Sequence, residues 1–121
     1  MFFRRARHRA RLSAVADRIG ARNGVILSDH FSGGSGANGP LVLGVITLRD
    51  GEPAEVLRTL VDHAAAGGYP VPPKRTEADG CGFVGVPGLP MLIIETFAAG
   101  KVIPWHGEVP PGQTGVVVSL T

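Results

Sequence analysis

Glycine or proline stands at almost one position in four, 18 and 10 of 121 residues, and punctuation that dense leaves few windows in which a helix can run. Two windows qualify. From Arg4 to Ile19 neither residue occurs and alanine is frequent, so the spacing predicts a helix ending near Gly20 or at Asn23-Gly24. The second window opens at Pro53, a residue suited to the first helical position, and carries Glu55 in the first turn, where the helix dipole favours an acid. Its apolar stripe is Val56, Leu57, Leu60, Val61, Ala64 and Ala65, and Gly67-Gly68 stops it.

The remaining apolar runs are short and bounded by turn residues, which is the pattern of strands. Val25 to Phe31 is one. After the glycine-rich stretch from Ser32 to Gly39, Leu41 to Leu48 forms a near-continuous apolar run suited to a central strand covered on both faces. Tyr69 to Pro73 is too rich in proline for a helix or a central strand and reads as an extended loop running to Gly80. Cys81 to Val86, Met91 to Ala98, Val102 to Trp105 and Thr114 to Leu120 are the later strands, with a hairpin turn at Gly100-Lys101 and a loop from Glu108 to Gly112. The expected architecture is α+β: a single mostly antiparallel sheet with one packed amphipathic helix, a layer of the ferredoxin-like type, and a basic helical arm in front of it. Residues 1–22 form the arm and 23–121 the domain. A chain of this length supports one core, expected where the Leu41 to Leu48 strand meets Val56, Leu57, Leu60 and Val61.

Charge is divided as unevenly as structure. The first twenty-two residues hold seven of the ten arginines against the single acid Asp17, a charge of +6, whereas the rest of the chain has five cations and nine acids, a charge of −4. Such asymmetry points to a segment that meets something anionic. At 100° per residue Arg4, Arg7, His8, Arg11, Arg18 and Arg22 fall within an arc of about 100°. Leu12, Val15 and Ile19 lie beside and partly within that arc, and Ala6, Ala10, Ser13, Ala14 and Asp17 occupy the remaining side. Arg4, Arg7, Arg11, Arg18 and Arg22 are therefore the expected contacts to an anionic partner.

Signatures of chemistry are weak. The Ser32 to Gly39 loop has neither the G-x-x-x-x-G-K-[ST] spacing nor a G-x-G-x-x-G that opens a helix, so it reads as a connection and not a phosphate cradle. His30, His63 and His106 stand near acids and Cys81 follows Asp79, yet none has the local spacing that fixes two metal ligands. A His30, Cys81 and His106 pocket would need the fold to bring them together. No catalytic residue, metal or cofactor is assigned. Trp105, the sole tryptophan, lies beside Pro104, His106 and Gly107, and with His106 is a candidate recognition surface.

No apolar run reaches the 18 residues of a membrane span, and Leu12, Val15 and Ile19 make too narrow a stripe for peripheral membrane contact to be expected. Met1-Phe2-Phe3 runs straight into arginines, unlike a secretory signal. One cysteine fits a reducing compartment, so the cytoplasm is the expected location. The leading expectation is a non-enzymatic protein-interaction or assembly module that binds a protein partner or itself through its body and an anionic surface through the arginines. The alternatives are a nucleic-acid-binding protein using the same helix, and a small enzyme or ligand-binding domain with a His/Cys pocket. Few aromatics and an acidic body weigh against nucleic acid.

Overall fold

The computed structural model describes residues 2–34, 39–71, 74–75 and 80–121, with side chains from 6 onward and none for 74–75. The elements run α1 (Phe2–Arg18), β1 (Val25–Ser32), β2 (Val42–Asp50), α2 (Pro53–Ala66), β3 (Lys74–Arg75), β4 (Gly80–Phe83), β5 (Leu92–Phe97), β6 (Val102–Ile103), β7 (Gly107–Glu108) and β8 (Gln113–Leu120). Six strands form one open sheet in the order β1-β2-β8-β5-β4-β3, and β6 pairs with β7 in a separate hairpin. Every neighbouring pair is antiparallel. The fold is thus α+β on an antiparallel sheet, and the likeness to a ferredoxin-like layer extends no further than helices stacked on one sheet.

Alternation along the strands sorts side chains onto two faces. Leu43 and Val45 of β2, Val116, Val118 and Leu120 of β8, Leu92 and Ile94 of β5, and Cys81 and Phe83 of β4 are buried on the face that carries the helices. Val56, Leu60 and Ala64 of α2 pack there as expected, with Leu57 and Val61 partly buried at the margin. Two helices cover this face where one was expected. Leu12, Val15, Ala16 and Ile19 of α1 are buried in the same cluster, because together they make a stripe wide enough to dock a helix.

Both helices end alike. Gly20 (φ 71°) donates its N–H to the Asp17 carbonyl while Ala21 reaches back to Ala16, and Gly68 (φ 103°) donates to Ala65 while Tyr69 reaches Ala64. These are Schellman closures, in which a left-handed residue turns the chain and satisfies the last carbonyls. A side chain at Gly20 would also press on His63 Nδ1 and Asn23 Nδ2 at 2.8 Å, so α1 stops where it meets the C-terminal turn of α2. Arg49 of β2 adds a second lock. Its guanidinium donates to the Gly20 and Ala21 carbonyls at 2.8 and 3.2 Å, a cation at the negative end of α1. Burial lowers its pKa from the ordinary arginine range.

The opposite face corrects the expectation of a β2 covered on both sides. Val42, Ile46 and Leu48 of β2, Val117 of β8, and Ile93 and Phe97 of β5 are only partly buried, and none belongs to the core cluster. The β6–β7 hairpin covers the Gly115 end of this face, where it seats Ile103 and Val109 against Gly115. Register places Gly115 between Leu48 and Phe97. An added Cβ at Gly115 would lie 2.5 Å from Ile103 Cδ1 and 3.0 Å from Val109 Cγ2, so the missing side chain is the slot that holds the hairpin. The expected turn at Gly100-Lys101 therefore leads into a hairpin of its own, closed by β7 where a loop was expected.

Tyr69, the only tyrosine, closes the end of the core. Its ring packs on Phe83 with centroids 5.1 Å apart, and its hydroxyl donates to the Pro90 carbonyl at 2.8 Å. Burial pushes its phenol up to about 12, against the opposing pull of Arg11 and Arg18. The unfolded phenol titrates near ~10, so this contribution to stability is complete below about pH 10 and is lost as pH rises toward about 12. Absorbance of the tyrosinate should titrate near that value in the folded protein. Tyr69→Phe should cost about 1–2 kcal/mol by leaving the Pro90 carbonyl unpaired, and should remove this alkaline component from a denaturation series.

Candidate interaction surfaces

Burial of Leu12, Val15, Ala16 and Ile19 fixes the rotation of α1, and that rotation decides what its arginines can reach. Arg7, Arg11 and Arg18 fall within about 40° of one another on the helical wheel, and all three are exposed. Arg11 leans toward the β4–β5 connection and donates Nη2 to the Gly88 carbonyl at 3.0 Å. Among the described residues no carboxylate pairs with any of the three, since both ion pairs found there belong to Arg22. The Arg4 side chain lies outside the described residues.

Arg22 is separated from this group. Its Nε and Nη2 grip Asp29 of β1 at 2.7 and 3.2 Å, while Nη1 reaches Asp17 Oδ1 at 2.8 Å, Ser13 Oγ at 3.0 Å and the Ser13 carbonyl at 3.1 Å. Hydrogen bonding to Asp29 above all raises its pKa. The residue ties the segment after α1 to both the helix and the sheet edge. Partial exposure limits each ion pair to about 1 kcal/mol or less, so its effect is chiefly positional. Arg9 stands on the same side of α1, its guanidinium 5.2 Å from the Phe31 ring centroid in a cation–π contact. The two flanks of α1 thus differ: Arg9 and Arg22 hold β1, and Arg7, Arg11 and Arg18 face outward.

Trp105 and His106 occupy a second surface, on the other side of the sheet. The His106 N–H donates to the Ile103 carbonyl at 3.0 Å, which closes a four-residue turn with Pro104 second and Trp105 third. Trp105 has φ 69°, the only positive value at a non-glycine residue among those described. A turn with proline second and a positive φ third is of type II, whose third position normally takes glycine or asparagine. Holding a bulky side chain there costs of order 1–3 kcal/mol. No packing offsets it, because Trp105 is 100% exposed. Val102, at the root of the same hairpin, is 61% exposed.

His30, Cys81 and His106 are not brought together. His30 lies on the face opposite the helices, its Nδ1 2.9 Å from Ser28 Oγ. Cys81 is buried on the helix face of β4, four strand positions away in the sheet, or about 19 Å at the usual spacing. His106 is exposed at the hairpin tip. Among the described residues no three His, Cys, Asp or Glu side chains gather closely enough to hold a metal ion, and no helix is long and apolar enough to cross a membrane. Residues 35–38 of the glycine-rich loop and residues 76–79 before Cys81 lie outside the described residues.

Compared with protein-family models, curated proteins and solved structures, the chain shows no match.

Proposed function

We propose that the protein is a non-catalytic interaction module of the cytoplasm that binds the acidic surface of a protein partner through Arg7, Arg11 and Arg18. The observation that carries this reading is the division of labour on α1. One stripe is buried in the core, one flank is committed to β1, and the third flank presents three cations with no carboxylate among the described residues to neutralise them. Three guanidinium groups on a helix that is already docked lose little freedom on binding, and each can grip a carboxylate with two parallel hydrogen bonds. The acidic remainder of the chain favours an acidic protein segment over nucleic acid, because a polyanion as long as a duplex would also meet that negative charge. The buried single cysteine agrees with a reducing compartment.

The test changes Arg7, Arg11 and Arg18 together to glutamine and measures binding to a polyglutamate peptide and to a DNA duplex across a salt series. Wild-type protein should bind the acidic peptide with an affinity that falls as salt rises. The triple variant should lose that binding and keep its unfolding midpoint. Tighter retention on DNA, with a slope of log affinity against log salt near about −3 for three phosphates, would assign the flank to nucleic acid. No binding to either probe at low salt would leave the arginines a solubilising surface and end the proposal.

A further inference from the structure

β1 is the outer strand of the sheet, bonded to β2 on one side only. Along an antiparallel strand the main-chain groups of successive residues point to alternate sides. His30 pairs with Gly44 in register, and its carbonyl points at β2, 3.9 Å from the place a Gly44 Cβ would take. Alternation therefore turns the N–H and C=O of Asp29 and Phe31 away from the sheet. Among the described residues no hydrogen bond reaches these outward groups. A donor and an acceptor at every second residue form a template that another extended chain fills.

Proteins guard such an edge with lysine, proline, a bulge or an inward-pointing charge. The register of β1 shifts between Ile26 and Ser28, a bulge that takes the start of the strand out of line, but Ser28 to Ser32 pair with Ile46 to Val42 without interruption. That stretch has neither lysine nor proline. Its one acid is Asp29, and Arg22 already holds both carboxylate oxygens, at 2.7 and 3.2 Å. The charge that would repel a neighbouring strand is thus neutralised from within the chain.

We propose that two copies of the chain join along this edge, β1 against β1, antiparallel about a two-fold axis at His30. Charge and main chain select that centre. A centre at Asp29 would set two carboxylates face to face, and a centre at Phe31 would run Asp29 against Gly33, where the chain has turned out of the strand (φ 71°). A centre at His30 sets Asp29 of each copy against Phe31 of the other. Both residues stand on the helix side of the sheet, beside Val45 and Leu43, and the Arg9 guanidinium lies 5.2 Å from the Phe31 ring centroid, so each copy brings an acid to the other's cation. The His30 main chain faces β2 and falls at a non-hydrogen-bonded pair, while Asp29 and Phe31 of opposite copies exchange both of their bonds. Ser28 meets Ser32 on the far face, where hydroxyls can bond across the strands. The other edge of the sheet is the two-residue β3, so like edges pair and the assembly closes on itself. This contact uses none of Arg7, Arg11 and Arg18 and stands apart from the arginine flank.

Sedimentation of the full chain across a concentration series should show a monomer–dimer equilibrium. Amide hydrogen exchange reads the edge itself: the Asp29 and Phe31 amides should exchange freely in dilute protein and slow as the dimer forms, with the His30 amide protected throughout by β2. His30 is exposed and would face its own copy at about 5 Å between Cβ atoms. His30→Glu and His30→Lys, each alone, should therefore dimerise about fivefold more weakly than wild type at low salt, with unchanged unfolding midpoints on dilute protein. An equimolar mixture of the two should regain the wild-type affinity or exceed it. The variant with Arg7, Arg11 and Arg18 changed to glutamine should dimerise as wild type does. A wild-type chain that stays monomeric at high concentration overturns the proposal, as do amides at 29 and 31 that ignore concentration, or a mixture that regains nothing. Loss of the dimer in the triple arginine variant also overturns it, by assigning self-association to the arginine flank.

Discussion

Leu12→Ala is expected to destabilise the entire domain by about 2–5 kcal/mol, the range for removing a fully buried leucine side chain, and to match Leu60→Ala in α2. Leu12 is 0% exposed and Leu60 1%, and both belong to one continuous cluster. The comparison is informative because the two helices differ so much in sequence. α2 is an ordinary amphipathic helix, whereas α1 is rich in arginine and would stand free if its charge decided its place. A solvated helix would make Leu12→Ala nearly neutral, within about 0.5 kcal/mol as for most surface changes. Chemical denaturation of the two variants, with exposed Arg7→Ala as a control, separates the cases. Equal losses for Leu12 and Leu60 place α1 inside the cooperative unit; a loss at Leu60 alone makes α1 an appendage.

The helices were legible in the sequence because each window free of interior glycine and proline is closed by a glycine in the left-handed conformation, Gly20 and Gly68. The strands β1, β2, β5 and β8 were legible because their apolar runs are bounded by turns, and their observed limits lie within two residues of the expected ones. Pairing was not legible. Whether β2 has one covered face or two depends on which strands stand beside it and on where the chain turns back after Phe97, and periodicity carries neither. Of the two-residue strands, β6 falls inside the expected Val102 to Trp105 strand, whereas β7 gave no signal. What fixes them is Gly115, a glycine inside a strand, whose meaning appears only when Ile103 is found above it.

The candidate surfaces divide in the same way. The wheel grouped Arg7, Arg11 and Arg18 correctly because rotation within a helix is local. It also included Arg22, which lies beyond the end of α1 and is drawn off by Asp29, a contact between residues on separate elements. Arg49 was counted simply as one cation of the body, yet it is the group that caps α1 through the Gly20 and Ala21 carbonyls. Composition records the charges on a chain, and the fold decides which of them remain available to a partner. Trp105 was visible as a residue, but its exposure and its left-handed backbone were not.

Gly80→Ala should be more damaging than its modest chemistry suggests, costing about 3 kcal/mol, the upper end of the usual range for overpacking. An alanine Cβ at this position would overlap the Ile94 carbonyl oxygen and lie 3.2 Å from Glu95 Cα. Both are main-chain atoms of β5, which β8 holds from its other side through the Ile94↔Val118 and Glu95↔Val117 pairs. Since β5 has nowhere to retreat, β4 must move away, and with it Cys81 and Phe83, whose ring covers Tyr69. Gly82→Ala supplies the contrast. It lies two residues along the same strand, but its nearest neighbour in space, the Leu92 carbonyl oxygen, would be 3.9 Å from the new Cβ, an ordinary contact. That change should shift stability by less than about 1 kcal/mol, through backbone propensity alone. Unfolding midpoints read the difference directly, and thiol labelling gives a second measure, because Cys81 is buried in the intact sheet and should react faster once β4 is displaced. Equal midpoints for the two variants, with equal labelling rates, would mean that β4 can slide past β5 and that the close approach at Gly80 is not a constraint on the fold.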